Sequence, residues 1–452
     1  MTDATFLRKL LVTACAVTST TDLAACATGA TPFLPALFAL RYANMGGLDR
    51  DEFARQLSRA RSFRDDRWCS YWDRIASGHA DHAVGLLRAL AVSTSAPIPD
   101  IYGPTTAADV DALNALTDLI TPAATLFADH GPQASFGAVS DLIAAHVPEA
   151  DRLRVTTAFR AIDAWVKAIT YYQVSAFPGH TEHRMHAYWR SRRMFDVLIG
   201  ALAPALNLAV ESVEIAVSGA ETAAGYLILP PGPGPHPLVL TTNGLEGTAQ
   251  ELAIPQLRYR DSGMAMFLME MPGSYSYTRS MSPDSEAIYH DVIDHLVADD
   301  RLDPERIAMV GVSFGGYWTA RLAATDDRIA CAIACGAPTH HSFTGGAFGT
   351  PQIILRALAD TLGARHPLDL IRRLSALSIA DRYADISMPL LVINGDNDTL
   401  MSTQDSIDLA ETAPHGTVLL YPDDDHCAMG HYRQWLDHSQ RWLAEHLASV
   451  AN

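Results

Sequence analysis

The chain has 452 residues, 48% of them hydrophobic and 19% charged, which is enough apolar side chain for a large core divided between two domains. A formal net charge of −18 repels phosphate backbones and anionic lipid surfaces, so the expected partners include neither nucleic acid nor membrane. Lys9 and Lys167 are the only lysines, which leaves almost no candidate for Schiff-base or pyridoxal chemistry and none for a phosphate-binding P-loop.

The N-terminal stretch "FLRKLLVTACAV" followed by "LAAC" has a basic start, an apolar run and a lipoprotein-like box ending at Cys26. The polar "TSTTD" interrupts that run and Asp22 precedes the box, so the stretch reads as an ordinary first helix of a cytoplasmic protein, with an export signal as the alternative. From there to about residue 205 the pattern is helical. Apolar and aromatic residues recur at 3.6 spacing in "DEFARQLSRARSF", "WCSYWDRIASGHADHAVGLLRALAV", "ADVDALNALTDLI", "RLRVTTAFRAIDAWVKAITYYQV" and "HRMHAYWRSRRMFDVLIGALAPAL". Glycine and proline punctuate these at "TSAPIPDIYGP", "HGPQ" and "AFPG". Trp68, Tyr71 and Trp72 read as aromatic packing between helices.

After residue 205 short apolar runs alternate with helical patterns. "VESVEIAVSG" and "TAAGYLILPP" suggest a strand pair, followed by "PLVLTTNG", "MAMFLMEMPG", "RIAMVGV", "IACAIACGA", "PLLVINGD" and "TVLLYPD" as buried strands. Between them lie "TAQELAIPQLRY", "SEAIYHDVIDHLVA", "GGYWTARLAA", "TQDSIDLAETA" and a closing "YRQWLDHSQRWLAEHL". This alternation predicts an α/β fold, a mostly parallel sheet with helices on both faces. The expected domains are a helical region over 1–205 and a sheet domain over 206–452. Residues 340–387 interrupt the alternation as a helical insertion expected to roof the site.

Within the sheet domain, "GVSFGG" sits where a buried strand gives way to a helix. Gly311 and Gly315 permit a turn so tight that Ser313 stands above the strand ends, at a helix N-terminus that favours developing negative charge. A serine hydroxyl needs a base, and the base an orienting acid. Downstream, "NGDND" offers Asp396 and Asp398, and "YPDDDHCAMGH" offers His426 and His431, both in loops leaving the same edge of the sheet. Asp398 extends past the strand end as the acid, while Asp396 beside Gly395 suits a turn cap. His426 lies in the loop and is the expected base, His431 being at the start of the last helix. Asp423, Asp424 and Asp425 read as solvated carboxylates, one of which could raise the imidazole pKa. The backbone N–H groups of Phe314 and of Leu245, after Gly244, are the expected oxyanion donors. Glu246 is either a pocket side chain or a helix N-terminal carboxylate.

Three further stretches, "NGLEGTAQE", "GMAMFLMEMPGSYSY" and "DSEAIYHDVIDHL…DPERIAMVGVSFGGYWTARLAA", give the second half a resemblance to the α/β-hydrolase superfamily. The likeness is greatest to the branch holding the fermentation–respiration switch protein, the fungal pigment polyketide-shortening hydrolases and dihydroxypseudooxynicotine hydrolase. It implies Ser313, Asp398 and His426 as nucleophile, acid and base, with the N-terminal helical region as a cap that shapes the pocket. The elbow serine, which the switch protein lacks, is present here. Esterases and hydrolases of C–C bonds in β-diketone-like compounds both occur in the branch, and the resemblance does not choose between them.

The expected activity is therefore cleavage of an ester, thioester or C–C bond next to a carbonyl in a small molecule, polyketide-like or otherwise of secondary metabolism. No cofactor or metal is needed. Acyl transfer or carboxylate elimination on the same triad, and a non-enzymatic partner-binding module, are the alternatives; homo-oligomerisation is left open. Tyr275, His340 and His341 are candidate substrate contacts on the active edge. In "YHDVIDH", His290 and Asp294 share a helix face but lack a third ligand, so the stretch reads as a solvated face. Cys15, Cys26, Cys69, Cys331, Cys335 and Cys427 are scattered without zinc-ligand or disulfide spacing and read as buried thiols.

Overall fold

The computed structural model describes residues 3–92, 96–102, 110–131 and 136–449. Parts of the breaks read at 94–104 and 130–133, and the start of the helix read at 108–120, lie outside the described residues. The eight strands are β1 (Ala209–Val217), β2 (Glu221–Leu229), β3 (His236–Thr242), β4 (Ala265–Met269), β5 (Leu302–Val312), β6 (Ile329–Cys335), β7 (Leu390–Gly395) and β8 (Gly416–Tyr421). They form one sheet in the order β1-β2-β4-β3-β5-β6-β7-β8. The pair β2–β4 is antiparallel, and β3–β4, β3–β5, β5–β6, β6–β7 and β7–β8 are parallel.

The inner strands β4 and β7 are buried at every position, as a sheet covered on both faces requires, whereas the edge strand β8 has no fully buried residue. Register aligns the strand ends. Thr242 pairs with Gly311, Val312 with Cys335, Cys335 with Ile393 and Gly395 with Tyr421. The residues that follow β3, β5, β7 and β8 therefore leave the sheet along one edge, where parallel sheets build their sites.

The chain divides into two compact units whose boundaries differ from the contiguous 1–205 and 206–452 read from the sequence. Residues 3–38 cluster with the sheet, as do 211–249 and 262–449; the helical unit takes 39–210 and 250–261. The exchanged segments are held by specific contacts. In the sheet unit Gly349 N–H donates to Thr13 Oγ1 at 2.9 Å, and the Phe6 and Phe348 rings meet at 6.3 Å. In the helical unit Arg41 grips both oxygens of Glu251 at 2.7 Å, and Arg260 reaches Asp129 at 2.6 Å. Contacts between segments this far apart in the chain leave no local signature, so a break read from changing periodicity misses them.

The helical unit is built on the long helices Asp65–Ala91 and Glu149–Ala176, which pack together. Trp68, Trp72, Ala76, Ala80, Ala83 and Leu87 form a buried stripe along the first, and its alanines permit close approach. Trp68 Nε1–H donates to Val174 O at 2.9 Å, so both tryptophans serve the helix packing. No described helix is long and apolar enough to cross a membrane.

Candidate active site

Ser313 follows β5 with φ 58° and ψ −121°, a conformation that costs a non-glycine residue about 1–3 kcal/mol. The surroundings impose it. A Cβ on Gly311 would stand 2.0 Å from Gly315 O, and one on Gly315 would stand 2.2 Å from Thr242 O. Ser313 N–H donates to Cys335 O at 2.7 Å, and the helix Phe314–Ala323 begins at the next residue. Phe343, from the first helix of the 340–387 insertion, packs its ring 5.7 Å from that of Phe314.

His426 Nε2 lies 2.9 Å from Ser313 Oγ, and its Nδ1 lies 2.8 Å from Asp398 Oδ2. Asp398 Oδ1 accepts the N–H groups of Leu400 and Met401 at 2.9 and 2.8 Å. The Asp398 side chain is fully buried and that of His426 nearly so. Burial alone would push the carboxyl pKa up. The His426 charge and hydrogen bond, with the Met401 and Asn394 donors, reverse this and hold it below the usual carboxylate range. Burial likewise opposes the imidazolium, but the Asp398 carboxylate overcomes it and holds the His426 pKa well above the ordinary histidine value.

The other candidates for acid and base are engaged elsewhere. Asp396 is exposed and its Oδ1 accepts Asp423 N–H at 2.8 Å, the turn-capping role. His431 pairs through Nδ1 with Asp424 at 2.8 Å and stacks on Tyr421.

Two of the three loop aspartates differ from their reading as solvated groups. Asp424 is buried and accepts the N–H groups of Asp425, Gly430 and His431. Asp425 accepts Thr399 N–H at 2.6 Å, the Thr399 hydroxyl and His426 N–H, tying the acid loop to the histidine loop. The cause is local. Cys427 and Ala428 are left-handed, with φ 59° and 47°, so the loop doubles back and leaves several inward N–H groups in need of acceptors. Of the three, Asp423 alone is exposed.

On the other side of Ser313, Gly244 presses the loop after β3 against the elbow. A Cβ there would meet Ser313 Cβ at 2.7 Å and Phe314 N at 3.1 Å. Asn243 shapes this loop, its Oδ1 accepting Gly244 N–H at 2.9 Å and its amide donating to Thr248 O at 3.2 Å. Leu245 is half-buried and Glu246 is buried with φ 56°. Glu246 precedes the helix Ala249–Gln256. Tyr275 is buried, and its hydroxyl donates to Glu246 O at 3.5 Å, so it braces the 244–247 loop.

His340 and His341 bond within the insertion and the helix after β7: His340 Nδ1 lies 2.8 Å from Ser378 Oγ, and His341 Nε2 lies 2.9 Å from Asp408. His290 pairs with Asp326, and Asp294 with Arg328. Sequence reasoning passed over Asn394 and took Asp424 and Asp425 for solvated groups. The one available signal was an Asn-Gly pair at the end of two different strands, 243–244 and 394–395.

A sheet in this order, with a serine on a strained strand-to-helix turn facing a histidine and a buried carboxylate, defines an α/β-hydrolase. Residues 151–448 match the model of the family described as Esterase FrsA-like, and the chain belongs to that family. It is 26% identical over 270 residues to Esterase FrsA of Escherichia fergusonii, covering 57% of this chain and 64% of that one. It is 27% identical over 231 residues to 2,6-dihydropseudooxynicotine hydrolase of Paenarthrobacter nicotinovorans, covering 50% and 61%. These matches span less than two thirds of either relative. Among solved structures, 2,6-dihydroxy-pseudo-oxynicotine hydrolase superposes with a TM-score of 0.57 at 22% identity, covering 74% of this chain and 96% of that one. AbyA5 superposes with a TM-score of 0.55 at 20% identity, covering 77% and 99%.

Proposed function

We propose that this chain is a serine-dependent hydrolase of small-molecule carbonyl compounds. The single observation that carries the reading is the continuous relay from Ser313 Oγ through His426 to Asp398, with links of 2.9 and 2.8 Å. His426 Nε2 takes the hydroxyl proton as Ser313 Oγ attacks the carbonyl carbon, while Asp398 holds Nδ1–H and balances the imidazolium charge. The Phe314 and Leu245 N–H groups receive the oxyanion. Collapse of the tetrahedral adduct expels an alkoxide, a thiolate or a carbon leaving group stabilised as an enolate. His426 returns the proton to that group, and water then cleaves the acyl-enzyme by the same steps. The family name supports an ester substrate, and the name of the hydrolase relative supports hydrolysis of a small molecule. Apart from that water, the chemistry calls on the chain's own groups.

The test is a panel of esters, thioesters and 1,3-diketones, with a fluorophosphonate probe in parallel. Covalent labelling at Ser313 and turnover of at least one class are expected, with both lost in Ser313→Ala by about 10⁴-fold or more. Turnover preserved in Ser313→Ala would point instead to His426 acting as an eliminating base. Absence of both labelling and turnover would remove the hydrolase reading.

A further inference from the structure

Asn394 is the penultimate residue of β7, just before Gly395, and is 1% exposed. Its side chain joins two loops that meet at the candidate site. Nδ2–H donates to Asp398 Oδ2 at 3.0 Å, the same oxygen that faces His426 Nδ1. The second Nδ2–H donates to Ser406 Oγ at 3.3 Å. Oδ1 accepts two backbone groups at 2.9 Å, Gly395 N–H and Cys427 N–H. Two donors and two lone pairs are thereby all engaged, and the partners fix which way the amide points.

Cys427 directly follows His426 and is the first of two consecutive left-handed residues. Such a backbone holds its shape when its surroundings over-determine it. Anchoring Cys427 N–H fixes the peptide from which the imidazole projects, and the opposite end of the same amide fixes the carboxylate that the imidazole must meet. With Asn394, Asp398 has four donors: His426 and Asn394 on Oδ2, Leu400 and Met401 N–H on Oδ1. From the helix after β7, the group that Asn394 bonds is the Ser406 hydroxyl, which carries no charge.

We infer that Asn394 is a positioning residue for the Ser313–His426–Asp398 relay, holding acid and base in register through one amide. The inference rests on the hydrolase reading for its kinetic consequence, but its geometric content is separable. Removing the Nδ2 donor leaves more of the Asp398 charge directed at His426, so the imidazole titrates at higher pH. An aspartate at 394 keeps the acceptor for Cys427 N–H but puts a second carboxyl against Asp398 Oδ2, where the two share one proton. Misorientation of the relay lowers the chemical step and leaves binding largely intact.

The experiment uses the full chain and the variants Asn394→Ala and the near-isosteric Asn394→Asp, with folding checked by circular dichroism. His426 is titrated by NMR, its signal assigned by comparison with His426→Gln, and kcat and KM are measured on whichever panel substrate turns over. The expected result is a His426 midpoint moved upward in Asn394→Ala, with kcat reduced about 10- to 100-fold and KM little changed in both variants. An unmoved midpoint with wild-type kcat in folded Asn394→Ala overturns the positioning role and leaves the hydrolase reading standing. A moved midpoint in a chain that turns over nothing keeps the positioning role and removes the hydrolase reading. Loss of fold in both variants makes Asn394 a structural residue only and also overturns the proposal.

Discussion

The nucleophile turn and the histidine loop solve one problem by different physics. Both hold non-glycine residues at positive φ, Ser313 at 58° and Cys427 and Ala428 at 59° and 47°. At Ser313 the strain is held by contact. Glycines at 311 and 315 let neighbouring backbone come so near that no other path fits. At Cys427 and Ala428 it is held by polar side chains, Asp424, Asp425 and Asn394, each accepting two or more hydrogen bonds from the two loops. Steric restraint tolerates no added atom, whereas a polar clamp weakens by degrees.

That difference orders the expected effects of breaking each region. Gly315→Ala, with its new carbon 2.2 Å from the Thr242 carbonyl oxygen, should abolish activity and destabilise the fold by about 3 kcal/mol or more, read by denaturant unfolding. Asp398→Asn should lower kcat by about 10⁴-fold while the fold survives, because the amide no longer enforces the Nδ1–H tautomer. Asp424→Ala should cost about 2–3 kcal/mol of stability by orphaning inward N–H groups, with a smaller loss of kcat. Asp425→Asn, which keeps an acceptor oxygen for Thr399 and His426 N–H, should cost about 1 kcal/mol or less.

The pH dependence sharpens the same comparison. A folded-state pKa raised above the ordinary histidine value of about 6.5 means that His426 contributes stability below that pH and loses it as pH rises through the raised value. Asp398, with its pKa lowered, contributes above about pH 4 and loses its contribution on acidification. The base is active only when neutral, so kcat/KM should climb with pH through a single ionisation above about 6.5. Stability and activity therefore move in opposite directions across the His426 titration.

What could be read from the sequence follows the same line. Strand runs such as "RIAMVGV" and "PLLVING" announce themselves because a sheet covered on both faces demands unbroken apolar stretches. "GVSFGG" announces the elbow because steric restraint writes itself in glycines next to the residue restrained. The distinction between Asp398 and Asp396 was legible only as a preference, since distance past one strand end favours Asp398 but does not place either carboxylate against His426 Nδ1. The clamp was not. Asp424 and Asp425 look like surface carboxylates in "PDDDH" until the left-handed turn at 427–428 directs backbone donors at them, and nothing in "HCAM" signals that turn. The exchange of segments 3–38 and 250–261 between units was equally hidden, because Thr13–Gly349 and Arg41–Glu251 join residues hundreds of positions apart.

The most direct measurement is the rate at which a fluorophosphonate modifies Ser313 as a function of pH, in the native chain and in His426→Ala. An imidazole that activates the hydroxyl predicts a rate rising through one ionisation above about pH 6.5, and a collapse of that rate in the variant. Equal rates in the two proteins, or a rate in the native chain that ignores pH, would contradict it.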